Sequence, residues 1–249
     1  ADEPPGEMWP SMKNYDCAGR ITVWEQVYDP NQVYPEYLAD LDIGICPSNP
    51  NGFDAVDSWD RGNTGSDNWN SIPPYENNGR VDLCELTDHP YTYLGYVITD
   101  EQSNLSQADF DAFEQAVIDR GNEVYIDPFI VLDDWDVPFG LGNGGGDVIF
   151  RLREGVERFM ITDINNAAAT NKGQSEIYVM GDNIADDGHF NHVPGGCNIL
   201  FLDGHVDFVR WPMGGTGDGG SVLRGGRTFR TGGQVQLTAT GIGFRTMLH

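Results

Sequence analysis

Three histidines, His189, His192 and His205, fall close together with Asp186, Asp187 and Asp203 among them. Imidazoles joined to carboxylates are the donor set of a zinc hydrolase, in which three protein ligands leave one position open. The spacing is not His-Glu-x-x-His, and the competing account is that His192 hydrogen-bonds across the neighbouring strands, since buried polar side chains take partners. A second candidate overlaps the first. The run Gly181-Asp182-Asn183-Ile184-Ala185-Asp186-Asp187-Gly188 packs carboxylates and amides into eight residues. Calcium takes six to eight oxygens of that kind, although the glutamate that closes an EF-hand loop is missing here. Asp182, Asp186, Asp187 and Asp203 are therefore the candidate metal ligands, with Ca2+ as the expected ion and an exposed acidic turn as the alternative.

Other chemistry finds little support. No Gly-x-Ser-x-Gly elbow occurs. The glycine-rich stretch 140–146 lacks the Gly-Lys-Ser/Thr ending of a phosphate loop and is expected to be a flexible linker or a tight turn. Asp133 and Asp134 beside Trp135 resemble a glycosidase carboxylate pair, but one such pair is too common to carry that reading. No catalytic residue is assigned, and the chain is expected not to be an enzyme.

Net charge narrows the partners. The 249 residues carry 14 basic and 39 acidic side chains, a net charge of −25. Such a surface repels nucleic-acid phosphates and anionic lipid headgroups. Six Trp, twelve Phe and ten Tyr are too many aromatics for a disordered acidic chain. No run of eighteen apolar residues exists to span a bilayer. Cys17, Cys46, Cys84 and Cys197 form no Cys-x-x-Cys pair. An even number suits two disulfides in an oxidising compartment, in any of three pairings, with free buried thiols as the alternative.

These residues must be held by a mixed fold. Tyr91-Thr92-Tyr93-Leu94-Gly95-Tyr96-Val97-Ile98 is rich in aromatic and β-branched residues and reads as a strand. Ser106 begins a capping box, and Phe110, Phe113, Ala116 and Val117 share one face of the helix that follows, with Gly121 placed to end it. Residues 147–163 show a second helical spacing in Val148, Leu152, Val156 and Phe159. A helical turn is expected near Val33–Leu38, a strand over Asp42–Pro47 and another over Ser175–Met180, with a long surface loop over 49–80. The sharpest local signal is Asn198–Leu202 and His205–Trp211 around Asp203-Gly204, a hairpin with a type I′ turn and one buried face. The class is α+β, an antiparallel β-sheet packed on helices with long irregular loops.

At that hairpin the stretch Phe190-Asn191-His192-Val193-Pro194-Gly195-Gly196-Cys197-Asn198-Ile199-Leu200-Phe201-Leu202-Asp203-Gly204-His205-Val206 resembles bacterial prepilin-type proteins marked by a histidine, nine residues and Asp-Gly. Here ten residues separate His192 from Asp203, one more than in that pattern. The stretches 34–50 (ending Cys46-Pro47-Ser48-Asn49-Pro50), 91–98 and 144–166 also look like this group. The resemblance implies a pilin-like head over residues 1–213. It also implies an extracytoplasmic place, periplasmic, surface-bound or secreted. The expected function is that of a structural subunit of a pilus-like or type II secretion-like filament. Its partners would be other pilin-like subunits or copies of itself, and membrane contact would run only through an N-terminal helix that the sequence lacks. The relatives' calcium loops add to the Ca2+ expectation at 181–188. Residues 214–249 fall outside the resemblance: four arginines follow Asp218, and no acid does. This glycine-rich tail, with an alternating stretch at 235–240, is expected to meet an acidic surface or a sheet edge, with a disordered end as the alternative. Two rival functions stand beside the filament subunit. One is a calcium-dependent carbohydrate-binding module using Trp59, Trp69 or Trp135. The other is a metal-dependent hydrolase using His189, His192 and His205.

Overall fold

A computed structural model describes residues 7–22, 25–48, 54–62, 74–87, 90–99, 106–160, 173–182, 192 and 196–210, and the short strands beyond residue 221. The fold is α+β. Its centre is a four-stranded antiparallel sheet in the order β1 (Tyr91–Ile98), β4 (Tyr178–Asp182), β5 (Gly196–Phe201) and β6 (Val206–Arg210). β1 matches its expected bounds, and all but its first residue are buried. Burial from both sides explains its unbroken apolar run, since a strand with one wet face would alternate.

Gly95 sits in the middle of β1 at φ +70°. A Cβ there would stand 3.3 Å from the Pro10 carbonyl oxygen, so glycine is needed for both reasons. The β1–β4 register shifts beyond Tyr93. Past the shift, β1 pairs with a different segment: Val97 N–H donates to the Phe150 carbonyl at 2.8 Å, and Leu152 N–H donates to the Gly95 carbonyl at 2.8 Å.

Helix α2 (Gln107–Ile126) starts where the capping residue placed it, with the Ser106 hydroxyl accepting from the Asp109 N–H. Phe113 and Val117 are buried and Ala116 packs against the same core. The helix runs through Gly121 and stops before Pro128, whose ring cannot continue it. A glycine within a helix costs only about 1 kcal/mol, which the buried Val124 beyond it offsets.

Residues 147–160 are not the expected helix, and 161–163 lie outside the described residues. β3 (Val148–Ile149) pairs antiparallel with β2 (Trp135–Asp136), and a 3-10 turn covers Val156–Met160. The helical spacing is coincidental. β-branched Val148 and Ile149 suit a strand, and Gly155 at φ +73° breaks the path. Arg151 is buried and its guanidinium donates to the carbonyls of Trp9 and Val131, partners that an exposed helix face would not offer. The glycine-rich stretch 140–146 is a turn, as expected. Asn143 pins it by donating to the Val97 carbonyl at 2.9 Å and accepting from the Phe150 N–H at 2.8 Å.

Asp42–Pro47 is also not a strand. Leu41–Gly44 forms a 3-10 helix because the Asp40 carboxylate caps the Asp42 N–H. Gly44 lies so close to the Trp59 ring that a Cβ would meet it at 2.9 Å. Within the expected 49–80 loop, α1 (Ala55–Trp59) joins Ile45 and Leu86 in a second small core. The turn at Val33–Leu38 is present, with Tyr37 N–H donating to the Val33 carbonyl at 2.8 Å.

The hairpin is present with a different turn. Gly204 N–H donates to the Phe201 carbonyl at 2.9 Å and Phe201 N–H to the His205 carbonyl at 3.0 Å. Only Gly204, at φ +87°, takes the left-handed region, so Leu202-Asp203-Gly204 form a three-residue loop instead of a two-residue type I′ turn. Ile199 and Phe201 on β5 are buried, whereas Val206 and Phe208 on β6 are 57% and 51% exposed. The apolar alternation on β6 is therefore real but half wet, because β6 is the edge strand of the sheet.

Beyond residue 221 the described residues form two short antiparallel pairs, β7 (Val222–Leu223) with β8 (Arg227–Thr228), and β9 (Val235–Thr238) with β10 (Gly241–Phe244). Of the expected strand at 235–240, Val235–Thr238 pairs within the tail and not with the central sheet, and 239–240 lie outside the described residues.

Candidate functional site: a Cys-Asp-His joint at the end of the sheet

β4 ends at Asp182, whose side chain is 1% exposed. A buried carboxylate requires donors, and β5 supplies them. Asn198 gives Asp182 Oδ2 its backbone N–H at 2.6 Å and its side-chain amide at 2.9 Å. His192 Nε2 stands 3.1 Å from the same oxygen and 3.0 Å from Asn198 Nδ2. The imidazole lies edge-on to Phe208, ring centroids 6.2 Å apart.

Cys46 closes the group from the loop after the Leu41–Gly44 turn. It is buried, forms no disulfide, and its Sγ lies 3.7 Å from His192 Nε2. Burial pushes its thiol pKa up, and the nearby Asp182 carboxylate adds to the rise; the Ser48 backbone N–H and the Tyr91 hydroxyl act the other way. Burial also raises the Tyr91 phenol, with Cys46 next to it. Cys46, Asp182 and His192 each bring a donor atom to a point where all three lie within 4.8 Å of one another.

The expected metal ligands distribute differently. Asp182 is in this joint, and Asp186 and Asp187 lie outside the described residues. Asp203 sits at the exposed hairpin tip, accepting from the His205 N–H at 3.1 Å and facing His205 Nδ1 at 2.5 Å. Those hydrogen bonds hold its carboxyl below the usual carboxylate range. Asp182 meets β5 at Asn198, whereas Asp203 follows Phe201. Three strand residues span about 10 Å, so one ion cannot take both carboxylates.

The same geometry separates the histidines. His192 faces Asp182, while His205 stacks on Phe201 with centroids 4.4 Å apart at the other end of β5. His189 lies outside the described residues. Of the aromatics proposed for carbohydrate, Trp59 and Trp135 are 2% and 4% exposed and belong to the two cores, and Trp69 lies outside the described residues. The Trp59 and Trp135 side chains cannot line an open groove.

Cys17 and Cys84 form a disulfide, which resolves one of the possible pairings. Pairing arithmetic alone hid the role of Cys46, because a thiol that meets a histidine far along the chain leaves no local pattern. The only signal was its place in Cys46-Pro47-Ser48, within a stretch already singled out for its resemblance. Asn198 carried no signal beyond its position at the head of a strand. Compared with protein-family models, curated proteins and solved structures, the chain matches none of them.

Proposed function

We propose that this chain is the extracytoplasmic head of a pilin-like subunit, a structural part of a pilus-like or type II secretion-like filament. The observation that carries the proposal is the convergence of its resembling segments. Cys46 from 34–50, Tyr91 from 91–98, and His192 and Asn198 from the hairpin stretch meet around Asp182. Segments far apart in sequence are thereby tied to one end of the sheet, and each polar group there answers another. That is the arrangement of a clamp that fixes loops on a scaffold.

Two further features suit an assembly subunit outside the cytoplasm. The Cys17–Cys84 disulfide belongs to an oxidising compartment. Edge strand β6 presents half-exposed Val206 and Phe208, and strand edges of this kind pair readily with other chains.

Expression of the natural gene product in cells with and without a prepilin peptidase tests the proposal. A pilin-like subunit is shortened at its N-terminus only when the peptidase is present. Identical mass in both strains contradicts it.

A further inference from the structure

We propose that Cys46, Asp182 and His192 form a binding site for one transition-metal ion of the Zn2+ class, independent of the assembly function. Zinc bonds to sulfur at about 2.3 Å and to nitrogen or oxygen at about 2.0–2.1 Å. Tetrahedral angles then place a sulfur and a nitrogen ligand about 3.6 Å apart, and a nitrogen and an oxygen ligand about 3.3 Å apart. The corresponding separations here are 3.7 Å for Cys46 Sγ to His192 Nε2 and 3.1 Å for His192 Nε2 to Asp182 Oδ2. Both separations are close to those a zinc ion imposes, and the remaining pair, Cys46 Sγ and an Asp182 carboxylate oxygen, lies within 4.8 Å.

The donor types select the metal. A thiolate and an imidazole suit zinc or its neighbours, whereas calcium asks for six to eight oxygens. Charge also balances, since one thiolate and one carboxylate neutralise a divalent ion in a setting where Asp182 is 1% exposed. On binding, the Cys46 thiol proton leaves to solvent and the Sγ–metal bond forms. Nε2 of neutral His192 gives its lone pair, with the ring proton on Nδ1. Asn198 acts as a positioning residue, because its two N–H donors fix the carboxylate against rotation. The fourth position belongs to water, reached past the His192 side chain, which is 27% exposed.

The test is titration of Co2+ into the protein with the Cys17–Cys84 disulfide intact, followed by absorbance. The expected result is one equivalent bound, a thiolate-to-cobalt charge-transfer band in the near ultraviolet, intense tetrahedral ligand-field bands, and displacement by Zn2+. Cys46→Ser removes the charge-transfer band. Asn198→Ala weakens binding about tenfold, and His192→Ala weakens it further. His205→Ala, at the exposed hairpin tip, leaves binding unchanged. Absence of the band, the same band in Cys46→Ser, or unaltered affinity in His192→Ala overturns the proposal. If Cys46→Ser does not fold, the unmodified protein answers instead. X-ray absorption at the zinc edge of the zinc-loaded protein must then show one sulfur ligand at about 2.3 Å, and a shell of nitrogen and oxygen alone overturns the site.

Discussion

Cys46 Sγ and His192 Nε2 stand 3.7 Å apart although 146 positions separate them in the chain. Between them and Asp182 the fold closes a loop onto the end of its central sheet. The strength of that closure depends on how well the buried Asp182 carboxylate is answered.

Asn198→Ala tests this dependence. The substitution removes the amide donor at 2.9 Å from Asp182 Oδ2 and leaves the backbone donor in place. An under-satisfied buried carboxylate costs about 1–3 kcal/mol. Urea denaturation of the substituted protein should show an unfolding free energy lowered by that amount, and hence a lower midpoint. An unchanged midpoint would mean that the joint contributes nothing to stability.

Gly204→Val addresses the hairpin. Nothing lies within 4 Å of a Cβ built at Gly204, so the penalty arises from its φ of +87° alone. A β-branched residue held in the left-handed region should lose about 1–2 kcal/mol. Gly204→Asn, which tolerates that region better, should lose less. Equal stability of both variants and the parent would contradict the three-residue loop.

Lys13 and Glu25 form an ion pair at 3.2 Å with both side chains wholly buried. Lys13→Met removes one charge and takes the ion-pair partner from Glu25, and breaking a buried pair from one side costs about 3–5 kcal/mol. The double substitution Lys13→Met with Glu25→Leu should recover most of the loss, because neither charge of the pair then remains buried. Thermal melts of the three proteins decide the matter. A single variant as stable as the parent would show that the pair is solvated.

The Asp203 carboxyl is held below its usual range by His205, and the sign of its pH dependence follows. A carboxylate with a depressed folded-state pKa adds stability above its unfolded value near 3.9, and that stability is lost as pH falls through the lower folded value. Asp203→Ala should therefore lower the melting temperature at neutral pH, by about 2 °C for one exposed turn contact. The gap should narrow as pH falls below the unfolded value and close once the carboxyl is protonated in the folded protein as well. A gap independent of pH would show that the charge is irrelevant.

The fold class, β1, the start of α2 and the hairpin were legible because each rests on local chemistry. An aromatic and β-branched run, a capping serine and an Asp-Gly pair act over a few residues. Val148–Phe159 misled because helical spacing also arises by chance in a segment whose Arg151 is drawn into the core by distant carbonyls. Leu41–Gly44 misled because Asp40 and Asp42 cap backbone groups and override β-branched Ile43. Of the joint, His192 and Asp182 drew notice as donor-rich residues. Their pairing with Cys46 and Asn198 did not, because only the sheet register and the loop's return bring those atoms together.

Assembly is the central claim, and immunogold electron microscopy on cells that produce the natural protein tests it most directly. Antibody raised against the described head should decorate filaments or the cell envelope, and the decoration should vanish when the gene is deleted. Gold confined to the cytoplasm, with Cys17 and Cys84 reduced in acid-trapped extracts, would contradict it.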